Sequence, residues 1–245
     1  MENKNIMNKY YNLMLSDVDK YCRLRLSVLF RMFQDLSVTH ASALDIGRDK
    51  IFDRGILWIV TKIKLEINRL PLYGEDISLS TWPGEAGKVL LPRYYQLQSS
   101  NGELLARASA LWALINGDKR TPVIPKTEGI HLNGHISGDE LSLPMGLCKP
   151  DRANCLTDYS QRTVLYSETD MNGHMNNSRY LDWTDDFLGD EFNRTHRLKE
   201  LQINFINEAT LGMCITLEKN VSYNEIFVKG SHSDKSIFML HALYN

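Results

Sequence analysis

Two stretches decide the fold: IKLEINRLPLYGEDISLS (residues 63–80) and LQINFINEATLGMCITLE (residues 201–218). At a constant offset of 138, Ile63, Leu65 and Ile67 fall on Leu201, Ile203 and Phe205, and Gly74 falls on Gly212. Each stretch alternates apolar and polar residues with period two, breaks near its glycine, and resumes alternating. That pattern predicts two strands with a bend or turn between them. A repeat of this kind predicts that one supersecondary plan is used twice.

The segments ahead of both stretches carry helical spacing. Leu26, Leu29, Met32, Phe33 and Leu36 recur on one helix face, with Gly47 as the expected stop. Tyr180, Trp183, Thr184, Phe187 and Leu188 do the same in the second half, with Asn176 or Asn177 as expected N-cap and Gly189 as expected end. A hairpin follows each strand pair, turning at SSNG (99–102) and within KGSHSDK (229–235). Each half therefore reads strand, helix and roughly four strands. The expected fold class is α+β, with two antiparallel sheets each wrapping a long central helix. Domain boundaries are expected at 1–125, a linker over 126–158, and 159–245.

Composition narrows the function classes. The chain has 245 residues, 43% of them apolar, and a formal charge of −2. This gives no electrostatic case for nucleic acid. No run approaches the roughly 18 apolar residues of a membrane span. Cys22, Cys148, Cys155 and Cys214 lack zinc spacing and read as reduced thiols of a cytoplasmic protein. No metal and no cofactor are expected.

SETDMNGHMNNSRYLDW (167–183) holds the densest group of functional side chains. At an offset of 151, Ser16 and Asp19 fall on Ser167 and Asp170, and Leu29 on Tyr180. Tyr21 then stands against Asn172, Arg23 against His174 and Leu26 against Asn177. A turn or cap would be needed equally in both halves, so this asymmetry points to function in the second copy. Asp170 before Asn172-Gly173 also fits a plain Asx-turn.

The pattern D-x-N-x-H-x-N-N-x-x-Y-x-x-W resembles that of the acyl-acyl carrier protein thioesterases of bacteria and plastids, which are tandem (double) hotdog proteins. The flanks WIVTKIKLEINRLPLYGEDISLSTWP (58–83) and GELLARASALWALINGDKRTPVIP (102–125) are similar to that family's first half. The resemblance implies hydrolysis of fatty acyl-acyl carrier protein, ending fatty-acid elongation. It implies catalytic roles for Asp170, Asn172, His174 and Glu208. Substrate contacts are expected at Asn176 and Asn177, and acyl-chain contacts at Leu29, Met32, Phe33, Leu36 and Trp58 in the first half. Where plant members often carry Cys after the glutamate, this chain has Ala209, which excludes a cysteine nucleophile there.

The expected partner is acyl carrier protein, with Lys62, Lys64, Arg69, Lys119 and Arg120 as candidate docking cations. The sequence leaves room for a homodimer. An acyl-CoA thioesterase and a non-catalytic lipid-binding protein are the alternative readings. Strict alternation gives Glu208 the parity of Gln202 and Asn204, opposite Leu201, Ile203 and Phe205. Either it leaves the helix-packing face, or a bulge re-aims it.

Overall fold

The computed structural model describes residues 5–148 and 158–245. The chain divides into two compact units, one reaching Pro144 and the other beginning at Met145, with Leu26–Phe30 assigned to the latter. In the first half the elements run β1 (Met7–Asn12), α1 (Leu26–Ala43), a short α2 (Arg48–Ile51), β2 (Ile56–Ile67), β3 (Asp76–Pro83), β4 (Leu90–Ser99), β5 (Leu104–Asn116) and a two-residue β6 (Pro122–Val123). In the second they run β7 (Asp158–Thr163), α3 (Arg179–Leu188), α4 (Asp190–Thr195), β8 (Leu198–Phe205), β9 (Cys214–Ser222), β10 (Glu225–His232) and β11 (Lys235–Tyr244).

The repeat is reproduced in the hydrogen bonding. Strand order is β1-β3-β4-β5-β2 in the first unit and β7-β9-β10-β11-β8 in the second. β2 and β3 are therefore not a hairpin. They are joined by a loop in which Gly74 takes φ +79°, matched by Gly212 at +81°. A side chain at either position would be strained. Gly74 N–H donates to Leu13 C=O, and Gly212 N–H to Val164 C=O, both at 2.9 Å. This ties each loop to the end of its unit's first strand.

Helix meets sheet through apolar faces. In the first unit Ile63, Leu65 and Ile67 of β2 stand opposite Ala110, Ala108 and Ala106 of β5. Directly opposed residues share a face, so the alanines thin that face while β2 supplies bulk. On α1, Leu29, Met32, Phe33 and Leu36 are buried, and Phe33 stacks on Tyr95 of β4 with ring centroids 4.4 Å apart. In the second unit Tyr180 of α3 packs on Phe205 and Phe238.

Three expectations are corrected. Helix α1 ends at Ala43, not at Gly47, which instead precedes α2. The second helix is short, ten residues against eighteen for α1, and hands over to α4 at Gly189 (φ +87°). Strand β10 runs on to His232, so its hairpin turns at Ser233 and Asp234. Most of the stretch read as a linker packs on the first unit. Trp82 Nε1 donates to Glu140 Oε1 at 3.1 Å, Ser109 Oγ donates to Ser142 C=O at 2.9 Å, and Ile130 and Leu141 are buried. Residues 149–157 of that stretch, Cys155 among them, lie outside the described residues.

Gly230 in β10 lies against the ring of the buried Phe238. An added Cβ would sit 2.3 Å from a ring carbon. We expect Gly230→Ala to destabilise the fold by about 1–3 kcal/mol, the usual cost of overpacking. A thermal melt within 1 °C of wild type would show that the ring has room to move.

Candidate active site

The loop before α3 is built by its own polar residues. Asp170 Oδ1 accepts from Asn172 N–H at 2.8 Å, and Asp170 C=O accepts from Gly173 N–H at 2.9 Å. Gly173 sits at φ +78°. His174 C=O then accepts from Asp170 N–H at 2.8 Å, closing the turn. The loop is pinned outward by Met175 N–H donating to Ala209 C=O at 2.7 Å, with His174 bridged to Thr210.

The first unit builds the same loop from Asp19. Asp19 Oδ1 accepts from Tyr21 N–H at 2.8 Å, Cys22 takes φ +61°, and Leu24 N–H donates to Pro71 C=O at 2.9 Å. Backbone geometry is thus shared, and side chains separate the copies, at two positions above all. Arg23 in the first unit is bound by Asp19 at 2.7 Å. Its counterpart His174 turns Nε2 to Glu208 Oε2 at 3.3 Å. The position matching Glu208 is Leu70.

Glu208 lies beyond the end of β8 at Phe205, in the loop that carries the Ala209 carbonyl. Strand parity therefore does not govern it, and the dilemma drawn from alternation dissolves. The His174 side chain is 21% exposed and that of Glu208 is 40% exposed, so the pair is sheltered on one side and reachable from solvent. Burial, with the Glu208 charge adding to it, raises the Tyr180 phenol above its ordinary pKa. A histidine–carboxylate pair so placed can hold a water molecule and move its proton.

The other expected residues fall out as follows. The Asp170 carboxylate serves the turn, and it is Glu208 that meets the imidazole. Asn172 is exposed and gives its N–H to Asp170. Asn176 Oδ1 accepts from Ser178 N–H at 3.0 Å and from Ser178 Oγ at 2.7 Å, so its oxygen serves the turn ahead of α3. Helix α3 starts at Arg179, with Ser178 as the flanking residue and Asn176 two positions before it. Asn177 is half-buried in the turn.

In the first unit, Trp58 is half-buried and gives its indole N–H to Ile46 C=O at 2.9 Å. Leu29, Met32, Phe33 and Leu36 belong to the packed core. Ala209 is 1% exposed. Cys214, at the start of β9, is a free thiol. Of the candidate docking cations, Arg69 is committed to Glu75 at 3.0 Å and Glu103 at 2.8 Å. Lys64 Nζ donates to Ser142 Oγ at 2.9 Å.

Sequence reading missed Glu168. Its Oε1 accepts from Trp183 Nε1 at 2.6 Å and its Oε2 from Leu165 N–H at 2.9 Å, fastening the loop to α3. A signal existed, because Asp17 holds the matching position and its Oδ2 accepts from Met14 N–H at 2.9 Å. Among the described residues no group of three or more His, Cys, Asp or Glu is arranged to hold a metal ion. No described helix is long and apolar enough to cross a membrane.

Comparison with known proteins gives a consistent picture. The family pattern described as acyl-ACP thioesterase N-terminal domain matches residues 4–128, and that of the C-terminal domain matches residues 151–238. The chloroplastic acyl-[acyl-carrier-protein] hydrolase FATB3 of Cuphea viscosissima is 26% identical over 211 residues, covering 75% of this chain and 47% of its own. The chloroplastic dodecanoyl-[acyl-carrier-protein] hydrolase of Umbellularia californica is 24% identical over 194 residues, covering 72% of this chain and 49% of its own. The chain thus spans about half the length of the curated relatives it matches. Among solved structures, an acyl-ACP thioesterase from Bacteroides thetaiotaomicron superposes with a TM-score of 0.82 at 23% identity, covering 100% of this chain and 99% of that one. The 12:0-ACP thioesterase from Umbellularia californica gives 0.84 at 17% identity, covering 98% and 97%. These likenesses show the tandem hotdog fold.

If Asp170 acts through the turn, Asp170→Asn, which keeps the accepting oxygen, stays within about 0.5 kcal/mol of wild type. Asp170→Ala then loses about 1 kcal/mol, the ordinary cost of a lost side-chain cap. Denaturant titration of both variants measures this. Equal loss in both would mean that the carboxylate charge, not the turn bond, matters.

Proposed function

The chain belongs to the acyl-ACP thioesterase family, and from that premise we propose that it hydrolyses fatty acyl-acyl carrier protein to the free acid and carrier protein. The observation that carries the reading is the His174–Glu208 pair, 3.3 Å apart on a loop whose copy in the first unit has Arg23 and Leu70 instead.

Glu208 takes the proton of a water molecule as its oxygen attacks the thioester carbonyl carbon. Glu208 passes that proton to His174, 3.3 Å away, the C–S bond breaks, and His174 delivers the proton to the departing phosphopantetheine thiolate. An imidazole suits this because its ordinary pKa, about 6.5, lies near neutrality. The oxyanion is assigned to the start of α3, where the helix dipole favours negative charge. Asn172, exposed on the turn, and Asn177, just ahead of α3, are assigned to positioning the thioester. Asp170 acts indirectly, by shaping the loop that presents His174.

The second unit is assigned catalysis and the first the acyl chain, with Trp58 and the buried face of α1 as its walls. Each further methylene contributes about 0.8 kcal/mol when buried. Acyl carrier protein is the assigned partner, and fatty-acid synthesis in the cytoplasm the assigned setting. The free thiols at Cys22, Cys148 and Cys214 suit a reducing compartment.

Thiol release from one acyl group, carried by acyl carrier protein and by coenzyme A, is the test. Faster release from the carrier protein is expected. His174→Ala should lower turnover about 10²- to 10⁴-fold with the fold intact. Activity within threefold of wild type would remove His174 from the mechanism. Preference for coenzyme A would move the function to acyl-CoA hydrolysis, and no release from either carrier would leave a lipid-binding protein. Glu208→Gln, nearly isosteric, should lose a similar factor if the carboxylate is the base. A loss below tenfold would leave it only an orienting role.

A further inference from the structure

Two exchanges between the units lie outside the His174–Glu208 pair itself. Reading across the sheets from Ile63 and its counterpart Leu201, the next residues are Ala110 and Ala242, then Arg93 and Ile226. Arg93 is buried and donates to His40 Nδ1 at 3.1 Å and to Thr81 Oγ1 at 3.3 Å, so it acts within the first unit's core. The other exchange lies beside the candidate site. At the offset of 151, Glu168 and Trp183 stand where the first unit has Asp17 and Met32.

Both units carry the same short backbone hairpin here. In the second unit Asn176 N–H donates to Glu168 C=O at 2.9 Å, and Asp170 N–H to His174 C=O at 2.8 Å. In the first, Arg25 N–H donates to Asp17 C=O at 3.0 Å, and Asp19 N–H to Arg23 C=O at 2.7 Å. One carboxylate oxygen also does the same work in each. Glu168 Oε2 accepts from Leu165 N–H, and Asp17 Oδ2 from Met14 N–H, both at 2.9 Å. An aspartate therefore suffices for that bond, and the turn does not require the longer side chain at 168.

The second oxygen separates the copies. Asp17 Oδ1 faces Arg31 at 3.7 Å, whereas the residue matching Arg31 is Asp182, which is held by Arg179 at 3.0 Å. Glu168 Oε1 instead accepts from the Trp183 indole N–H at 2.6 Å, and Trp183 is 2% exposed. Met32 has no side-chain donor to offer. A carboxylate that accepts a buried N–H makes a charge-assisted bond, about twice as strong as a neutral one. The base of the hairpin that carries His174 is thus bound, through a side chain, to the second turn of α3. Trp183 in turn meets the ring of Tyr180 edge-on at 6.5 Å, and Tyr180 packs on Phe205 at 5.8 Å. Phe205 ends β8, three residues before Glu208.

We propose that Glu168 is a positioning residue, which through Trp183 fixes the hairpin of His174 against α3 so that the imidazole meets Glu208. Its effect on turnover rests on the hydrolase reading, while its effect on the His174–Glu208 pair does not. The first unit, without that pair, has no use for the tie and keeps only the shorter carboxylate.

Two variants break the tie from opposite ends. Glu168→Asp supplies the side chain that serves the first unit, which keeps the bond to Leu165 N–H and falls short of the indole. Trp183→Phe keeps an aromatic ring and removes the N–H. Each should lower kcat for acyl-acyl carrier protein about tenfold with KM within about twofold, since the pair is misplaced and the substrate surface is untouched. The double variant should be no slower than about threefold below the weaker single, because all three lose one and the same bond. The ring nitrogen signals of His174, read by NMR without substrate, should shift in both single variants towards those of Glu208→Gln. The proposal falls if kcat stays within twofold of wild type, if the loss lies in KM alone, if the two losses multiply, or if the His174 signals do not move. Should one variant fail to fold, the other decides by the same kcat and NMR readings. Wild-type protein that releases no thiol, with His174 signals that shift in the variants, would overturn the hydrolase reading and leave the positioning of the pair standing.

Discussion

The hydrogen bond from Met175 N–H to Ala209 C=O, 2.7 Å long, is the constraint on which the candidate site depends. It joins two loops that are distant in sequence, one leading into α3 and one leaving β8. Because the bond falls immediately beside His174 and Glu208, the imidazole and the carboxylate are brought together by backbone. Their own interaction is partly exposed, and pairs of that kind contribute little to stability. The order of cause therefore runs from the chain to the side chains: the Asp170 turn sets the loop, the loop offers Met175, and Met175 brings the pair into register.

The same frame appears twice, and comparing its copies separates structural parts from chemical ones. Asp19 and Asp170 each accept from the N–H two residues on. Cys22 and Gly173 both take positive φ, and Gly74 and Gly212 both tie back to the first strand of their unit. Positions that hold the backbone agree in kind. Positions free of that duty diverge: Arg23 against His174, Leu70 against Glu208, and Arg93 against Ile226. In the first unit the arginine is bound by its own turn aspartate, so that loop has become a closed ion pair.

Much of this was legible in the sequence, for identifiable reasons. The strand repeat shows because side-chain period and burial are coupled at every residue of β2, β3, β8 and β9. Histidine at 174 stood out because its copy is arginine. Asp170 could not be separated from a catalytic acid, since an Asx-turn and an active-site carboxylate use the same residue type. How Glu208 reaches the site stayed open because alternation was carried three residues past the end of β8. Asn176 looked like a substrate ligand or a cap, and only the fold shows its oxygen committed to Ser178. Arg93 was hidden for a different reason. Within LLPRYYQL nothing local marks it as buried, and its burial follows from the register of β4 on β5 and from α1, neither of which is a local property.

The pairing of β7 with β9 bears on the order of assembly. Asp158 lies opposite Lys219, and Thr163 opposite Cys214, so the strand leading into the loop of the candidate site finds its partner only after α3, α4 and β8 have been passed. Closing so long a stretch costs chain entropy that local contacts do not repay until the sheet beneath exists. The β10–β11 hairpin, by contrast, closes over two residues. The unit therefore has a local end that can form early and a non-local end that forms late, and the histidine and glutamate lie at the late end. A chain folded only at the local end would hold the β10–β11 hairpin without the His174–Glu208 pair.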